Sequence, residues 1–276
     1  MGQTISSMEG FTRKIGKILP AADEVLAYRG HSDRQKFKLL PSVLRDPTLA
    51  ANEHAILREL VASHPIEFAQ DSTTLEQLAR AQHYSLPTRL LDVTWNPLVA
   101  LYFACKKHDD TPGEVIVFRV KRALLKFYDS DTVSCIANLA HLKKNEQDAI
   151  DFSLSGPPFN MQSSVARLLQ FIKVEKPHFL AEIVPDNLKT VLCVKPKRNS
   201  QRILVQCGAF LLFGIFGDLD SNSAHGISIE RIQVNGKKKK NILFELDRVA
   251  INDSSMFPEI DQAATYIRSK YEIPVS

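Results

Sequence analysis

The chain has 276 residues, of which 44% are hydrophobic and 24% charged, with a formal net charge of +4. That balance suits one large domain or two small ones with a substantial core, and excludes a disordered or collagen-like chain. No apolar run approaches the ~18 residues that span a bilayer, and the slight basic excess admits an anionic ligand without demanding nucleic acid.

In chain order, Met1–Ser6 formally fits an N-myristoylation pattern but has no basic cluster immediately behind it, and is read as chance. Glu24–Tyr28 reads as a short strand ending at Arg29 and Gly30. Glu53–Ser63 places Ile56, Leu57, Leu60 and Val61 on one helical face. Thr73 and Glu76 form a capping box that opens a second helix, which Pro87 ends. Asn96 and Pro97 then supply a capping side chain and a proline at the first helical position, starting a helix from Leu98 to about Cys105. Glu114–Val120 is a strand, and helices follow around residues 131–142 and 163–173. The Lys- and Pro-rich block 175–200 reads as a mobile loop.

Thr190–Val194, Ile203–Val205 and Ala209–Ile215 read as strands. Ile227–Val234 and Asn241–Leu246 flank Asn235, Gly236 and the run Lys237–Lys240, a hairpin with a solvated tip. Ile260–Tyr271 closes the chain as a helix. Helices dominate the first half and strands the second, which predicts a single α+β domain over 1–276, with a helical N-terminal half on a split or mixed β core.

Cys105, Cys135, Cys193 and Cys207 are widely spaced, with no Cys-x-x-Cys pair, and read as buried free thiols in a reducing, cytoplasmic setting. The histidines show no metal-ligand spacing, so no metal site is expected. There is no phosphate-binding glycine loop, no nucleophile elbow and no His-Glu-x-x-His, so the common routes to nucleotide, serine and zinc hydrolysis are not signposted.

The chemistry-bearing residues cluster elsewhere. Arg29 ends a strand with a planar fork suited to phosphate or carboxylate, unless it pairs with Asp23 or Asp33 on the surface. Gly30 allows a ligand or another backbone to come close. Thr88, Arg89 and Asp92 interleave with Leu90 and Leu91, and Arg89 and Asp92 are expected to pair, either to pin the turn or to frame a ligand. His83 at a helix end could be a general base, a donor to a ribose hydroxyl, or a helix cap. Trp95 could stack on a ring or serve the core. Gly208 after Gln206 signals a bulge near a ligand or a tight turn. The four lysines 237–240 would also attract phosphate.

Tyr28-Arg29-Gly30, Leu40-Pro41-Ser42, Gln82-His83-Tyr84 with Pro87-Thr88-Arg89-Leu90-Leu91-Asp92, Ala100–Ala104, Arg202-Ile203 with Gln206, Gly208 and Phe210, and Phe257-Pro258 together resemble the FRG domain. That family takes its name from the Phe/Tyr-Arg-Gly triplet, and the resemblance runs over about residues 20–265. It implies a microbial protein with links to phage defence or toxin-like systems. A more distant resemblance, to ADP-ribosyltransferases, implies that NAD is the ligand. On it Arg29 would hold the pyrophosphate of an anionic nucleotide, Thr88, Arg89 and Asp92 would frame the pocket, and Tyr28, Gly30 and Arg202 would join the ligand-binding set. The family's catalytic glutamate would fall at Gln201 or Arg202, neither acidic, so His83 and Gln206 would serve the nicotinamide ribose. The implied activities are transfer to a protein or nucleic-acid acceptor, or NAD hydrolysis. Two other readings stand beside these: a non-catalytic ligand-sensing or interaction module, and a nucleic-acid-directed toxin using Arg29, Arg89 and the lysine run. A carboxylate such as Asp92 or Glu182 pointing into the same cleft would complete the catalytic reading.

Overall fold

The computed structural model describes residues 4–217, 219 and 226–271. Its strands are β1 Glu24–His31, β2 Leu90–Thr94, β3 Gly113–Lys121, β4 Leu125–Phe127, β5 Val191–Lys195, β6 Gly208–Phe213 and β7 Ile227–Val234. They form one seven-stranded sheet in the order β4-β5-β6-β2-β1-β3-β7. Only β4 and β5 run parallel; the other neighbours are antiparallel. The helices are α1 Met8–Ile15, α2 Pro47–Ser63, α3 Pro65–Phe68, α4 Thr74–His83, α5 Pro97–Cys105, α6 Asp131–Ala137 and α7 Lys144–Asp148. They continue with α8 Gly156–Asn160, α9 Ser163–Glu175, α10 Pro185–Lys189, α11 Gln201–Val205, α12 Lys239–Asp247, α13 Asp253–Met256 and α14 Ile260–Tyr271.

Side-chain alternation along the strands separates three cores. Ala27, Leu91, Val93, Ile116, Phe118 and Leu211 line one face, where they meet Val191 and Cys193 of β5 and Ile227 of β7. Side chains from strands at opposite ends of the sheet meet there, so the sheet is curled around its own inner core. The other face carries two helical layers. Phe11, Val99, Leu101, Ile242 and Leu246 pack α1, α5 and α12 over β1, β3 and β7. Leu57, Leu78, Ile136, Leu168 and Leu188 pack α2, α4, α6, α9 and α10 over β2, β5 and β6. The product is a single α+β domain on a curled mixed sheet.

β1 and β2 share one register pair, Tyr28 with Thr94, and part beyond it. Gly30 explains how α5 sits so close to β1. A β-carbon there would lie 2.0 Å from the Ala100 carbonyl oxygen and 2.6 Å from the Ala104 nitrogen. Any larger residue would push the helix away.

Several expectations need correction. The second half is not chiefly strands, because its described residues carry α7 to α14 beside β5, β6 and β7, while the central strands β1, β2 and β3 come from the more helical first half. Ile203–Val205 lies in α11, and Asn241–Leu246 lies in α12, so no hairpin follows Asn235. Ile242 and Leu246 are buried while Phe244 between them is 62% exposed, a pattern a strand cannot produce. Of the lysine run Lys237, Lys238 and Lys240 are exposed, but Lys239 is fully buried and donates to the carbonyls of Ser32, Lys107 and His108. Block 175–200 carries α10 and β5 and does not form one loop. Cys207 is exposed at a positive φ of 47°, while the other three thiols are buried. Met1–Gln3 of the acylation pattern lie outside the described residues, and no described helix is long and apolar enough to cross a membrane.

Candidate functional site

A cleft lies on the helical side of the sheet. Its floor is the β2–β6 ridge at Asp92, Val93, Gly208 and Phe210. One wall is α4 and the other runs from Pro196 through α11, and the cleft has a volume of about 240 Å³. Local signals build the first wall. Thr73 accepts from the Glu76 nitrogen, while the Glu76 carboxylate returns to the Thr73 nitrogen, so α4 starts where the capping box demands. Its helical periodicity turns Leu75, Ala79, Gln82 and His83 toward the cleft.

Of the residues singled out from sequence, His83, Asp92, Arg202 and Gln206 line this one cleft. His83 sits at the end of α4, edge-on to Tyr84 at 5.1 Å, with Nε2 3.7 Å from a carboxylate oxygen of Glu259. Burial, and then the nearby Arg202 charge, hold its pKa below the usual histidine value. It is therefore neutral at pH 7, and 3.7 Å is too long for a hydrogen bond. His83 Nδ1 and Glu259 Oε2 are both buried and have no hydrogen-bond partner among the described residues. Each such atom costs about 1–3 kcal/mol unless something in the cleft meets it.

Arg202 makes no ion pair among the described residues, and its guanidinium rests on the Phe257 ring at 5.2 Å. Lys197 also lines the cleft but is held 2.9 Å from Glu76. The side-chain nitrogen of Gln206 donates to the Met256 carbonyl at 2.9 Å, which uses one of its two N–H groups. Gln82 donates to an Asp92 carboxylate oxygen at 2.6 Å and accepts from the Thr88 hydroxyl.

The other predicted residues lie outside the cleft wall. Arg29 pairs with neither Asp23 nor Asp33. Its guanidinium occupies the gap between β1 and β2, donating to the Asp92 carbonyl at 2.6 Å and to His31 Nε2 at 3.1 Å. Burial draws its pKa down, against the opposing pull of Asp92. Since His31 Nε2 accepts this bond, Nδ1 carries the proton shared with Glu114 at 3.1 Å. Tyr28 is buried in the core beneath α5, and the close approach at Gly30 is made by α5 itself. Thr88 is 1% exposed. The expected Arg89–Asp92 pair does not form. Arg89, also 1% exposed, forks onto both carboxylate oxygens of Glu53 and onto the Phe213 carbonyl, which makes it a tie between layers. Trp95 borders the inner core, with the Lys195 ammonium 5.8 Å from its ring. Glu182 lines a separate groove beside Asp131 and Lys176.

Asp92 is a carboxylate lining the cleft, as the sequence suggested, but sequence reasoning missed Glu259, whose carboxylate lies against His83. It stands directly after the quoted Phe257-Pro258, but nothing local says that this segment folds back to α4. Among the described residues no group of three or more His, Cys, Asp or Glu could hold a metal ion. No curated protein and no solved structure matches the chain. The FRG family model matches residues 24–112, from β1 past the end of α5 and including the Arg29, Gln82, Thr88 and Asp92 network. This chain therefore carries an FRG domain over that stretch.

Proposed function

We propose that the cleft between α4 and α11 binds an NAD-type nucleotide and that the protein acts on its nicotinamide–ribose bond, as an ADP-ribosyltransferase or an NAD hydrolase. The observation that carries this reading is that His83 on the cleft wall and Glu259 beside it each bury a polar atom with no partner, near the Arg202 guanidinium, which makes no ion pair, all among the described residues. Arg202 would grip the phosphates with its planar fork. Departure of nicotinamide leaves positive charge at the ribose carbon, which the Glu259 carboxylate would stabilise, with neutral His83 bonding a ribose hydroxyl. Glu259 thus takes the role that the family resemblance sought near Gln201 or Arg202. A sheet that opens between β1 and β2 is in keeping with the split core of an ADP-ribosyltransferase-like fold. Turnover of this kind would suit a phage-defence or toxin-like system.

The test is release of free nicotinamide from NAD by the purified protein, followed by chromatography. Glu259→Gln should lower the rate about a hundredfold or more, the usual loss when one charge-stabilising group is removed. Arg202→Ala should weaken NAD binding about tenfold. A second reading is a ligand-sensing module without turnover. The bond from Gln206 to Met256 favours it, because it fixes that amide in place as a binding contact with one N–H left for a ligand. A thermal shift with NAD and no nicotinamide release would select this second reading.

A further inference from the structure

We infer that Asp92 is the residue by which this cleft recognises a pair of neighbouring hydroxyl groups on a sugar phosphate, such as the ribose diol of a nucleotide. The inference rests on the proposed ligand cleft and names the ligand chemistry it selects.

β2 is a central strand, flanked by β1 and β6. Every residue of it is buried except Asp92, which opens into the cleft. A lone exposed carboxylate in the middle of a sheet is a costly choice for a strand unless the group is used. Three bonds fix where it points. The Thr88 hydroxyl accepts from the Leu90 nitrogen at 3.2 Å and donates to the Gln82 side-chain oxygen. That leaves the Gln82 nitrogen facing Asp92 Oδ1, to which it donates at 2.6 Å. Arg29 holds the Asp92 carbonyl from the other side of the strand at 2.6 Å. Arg29, Gln82 and Thr88 therefore converge on one group, and Asp92 is the only member of the set that is exposed.

Asp92 makes no ion pair among the described residues, and Oδ2 has no recorded donor. A carboxylate held this way wants donors. Arg80 with Asp71 and Lys197 with Glu76 pair off within the cleft, so Arg202 is the cation there with no ion pair among the described residues, and it disfavours a cationic ligand. Neutral donors carried on an anion satisfy both demands, and vicinal hydroxyls on a sugar phosphate are that combination. Acidic side chains read the ribose of dinucleotides in the same way in unrelated sites. Gln82 and Thr88 act as positioning residues for Asp92.

Calorimetric titration with ribose 5-phosphate, 2-deoxyribose 5-phosphate and NAD tests this. The wild type should bind the ribose form about tenfold tighter than the deoxy form, the worth of one hydrogen bond to a charged acceptor. Asp92→Asn should cut that preference to about twofold with its unfolding midpoint unchanged, and Gln82→Leu should leave it intermediate with a lowered midpoint, because it strands the buried Thr88 hydroxyl. A purely structural role would weaken both sugar phosphates together and leave their ratio intact. An unchanged ratio in Asp92→Asn, equal binding by the wild type, or no binding to any of the three overturns the inference. If ribose 5-phosphate is discriminated while NAD does not bind, the nucleotide reading falls and the role of Asp92 stands. If NAD binds but Asp92→Asn leaves its affinity untouched, the reverse holds.

Discussion

His141 shows how one buried side chain couples this fold to pH. It follows α6, with Nε2 3.3 Å from the Thr74 hydroxyl. That hydroxyl donates to Asn138 at 2.9 Å, so the imidazole must be the donor in its own contact. Burial, then the charges of Arg58 and Arg89, push its pKa down from 6.5 to about 4. An unfolded chain would protonate His141 near 6.5, whereas the folded one holds off until about 4. Between those values the unfolded state binds more protons. Stability from this group is therefore complete above 6.5, falls as pH drops toward 4 and levels off below it. The loss amounts to at most about 3 kcal/mol. His141→Gln keeps a donor for Thr74 but cannot titrate. Urea unfolding at pH 7 and at pH 4.5 should show a clearly smaller drop for the variant than for the wild type. Parallel losses in the two proteins would remove His141 as the cause.

At the scale of elements, α13 and the residues after it form a strap beside the cleft, touching its Arg202, Gln206 and His83. Asp253 accepts from the Tyr102 hydroxyl and lies 3.0 Å from the Lys106 ammonium. Phe257 is held between two cations, with Lys106 3.7 Å from its ring and Arg202 at 5.2 Å, and it meets Phe103 edge-on at 6.1 Å. Each partly exposed cation–ring contact is worth about 0.5–1 kcal/mol. Phe257→Ala should therefore raise amide hydrogen exchange in residues 252–259 about tenfold while leaving α5 unchanged. Exchange rising equally in α5 would mean that the whole domain had loosened. The strap was legible only as a motif, Phe257-Pro258, because its partners lie on α5 and α11, far away in sequence. By contrast α4 and α5 could be read directly, since Thr73 with Glu76 and Asn96 with Pro97 carry their instructions within four residues. α12 misled because Ile242, Leu243, Phe244 and Leu246 satisfy a strand pattern until burial shows which of them face α5. In the site, His83, Asp92, Arg202 and Gln206 were readable as candidates because polar groups amid apolar runs mark them. Arg89 looks the same in sequence, and only the arrival of Glu53 from α2 makes it structural.

Across the whole molecule, buried cations join layers that the apolar cores alone would leave free to slide. Lys239 ties α12 to carbonyls in the loops after β1 and α5. Arg89, at the entrance to β2, ties α2 through Glu53 to the end of β6 through the Phe213 carbonyl. Such a pair gives up the hydration of two charges, so its net contribution is small, yet losing one partner strands the other. Glu53→Gln should therefore destabilise the protein by about 3 kcal/mol or more in urea unfolding, although the substitution is isosteric. Replacing both partners, with Glu53→Leu and Arg89→Met, removes the stranded charge and forfeits chiefly the bond to Phe213, worth about 1 kcal/mol. The double variant should then be more stable than Glu53→Gln alone and lie within about 2 kcal/mol of the wild type. Its cleft should stay intact, because Asp92 is held by Gln82 and Arg29 and not by Arg89. A double variant less stable than Glu53→Gln would show that the Arg89 guanidinium is required for the joint between layers, and not merely its neutralisation.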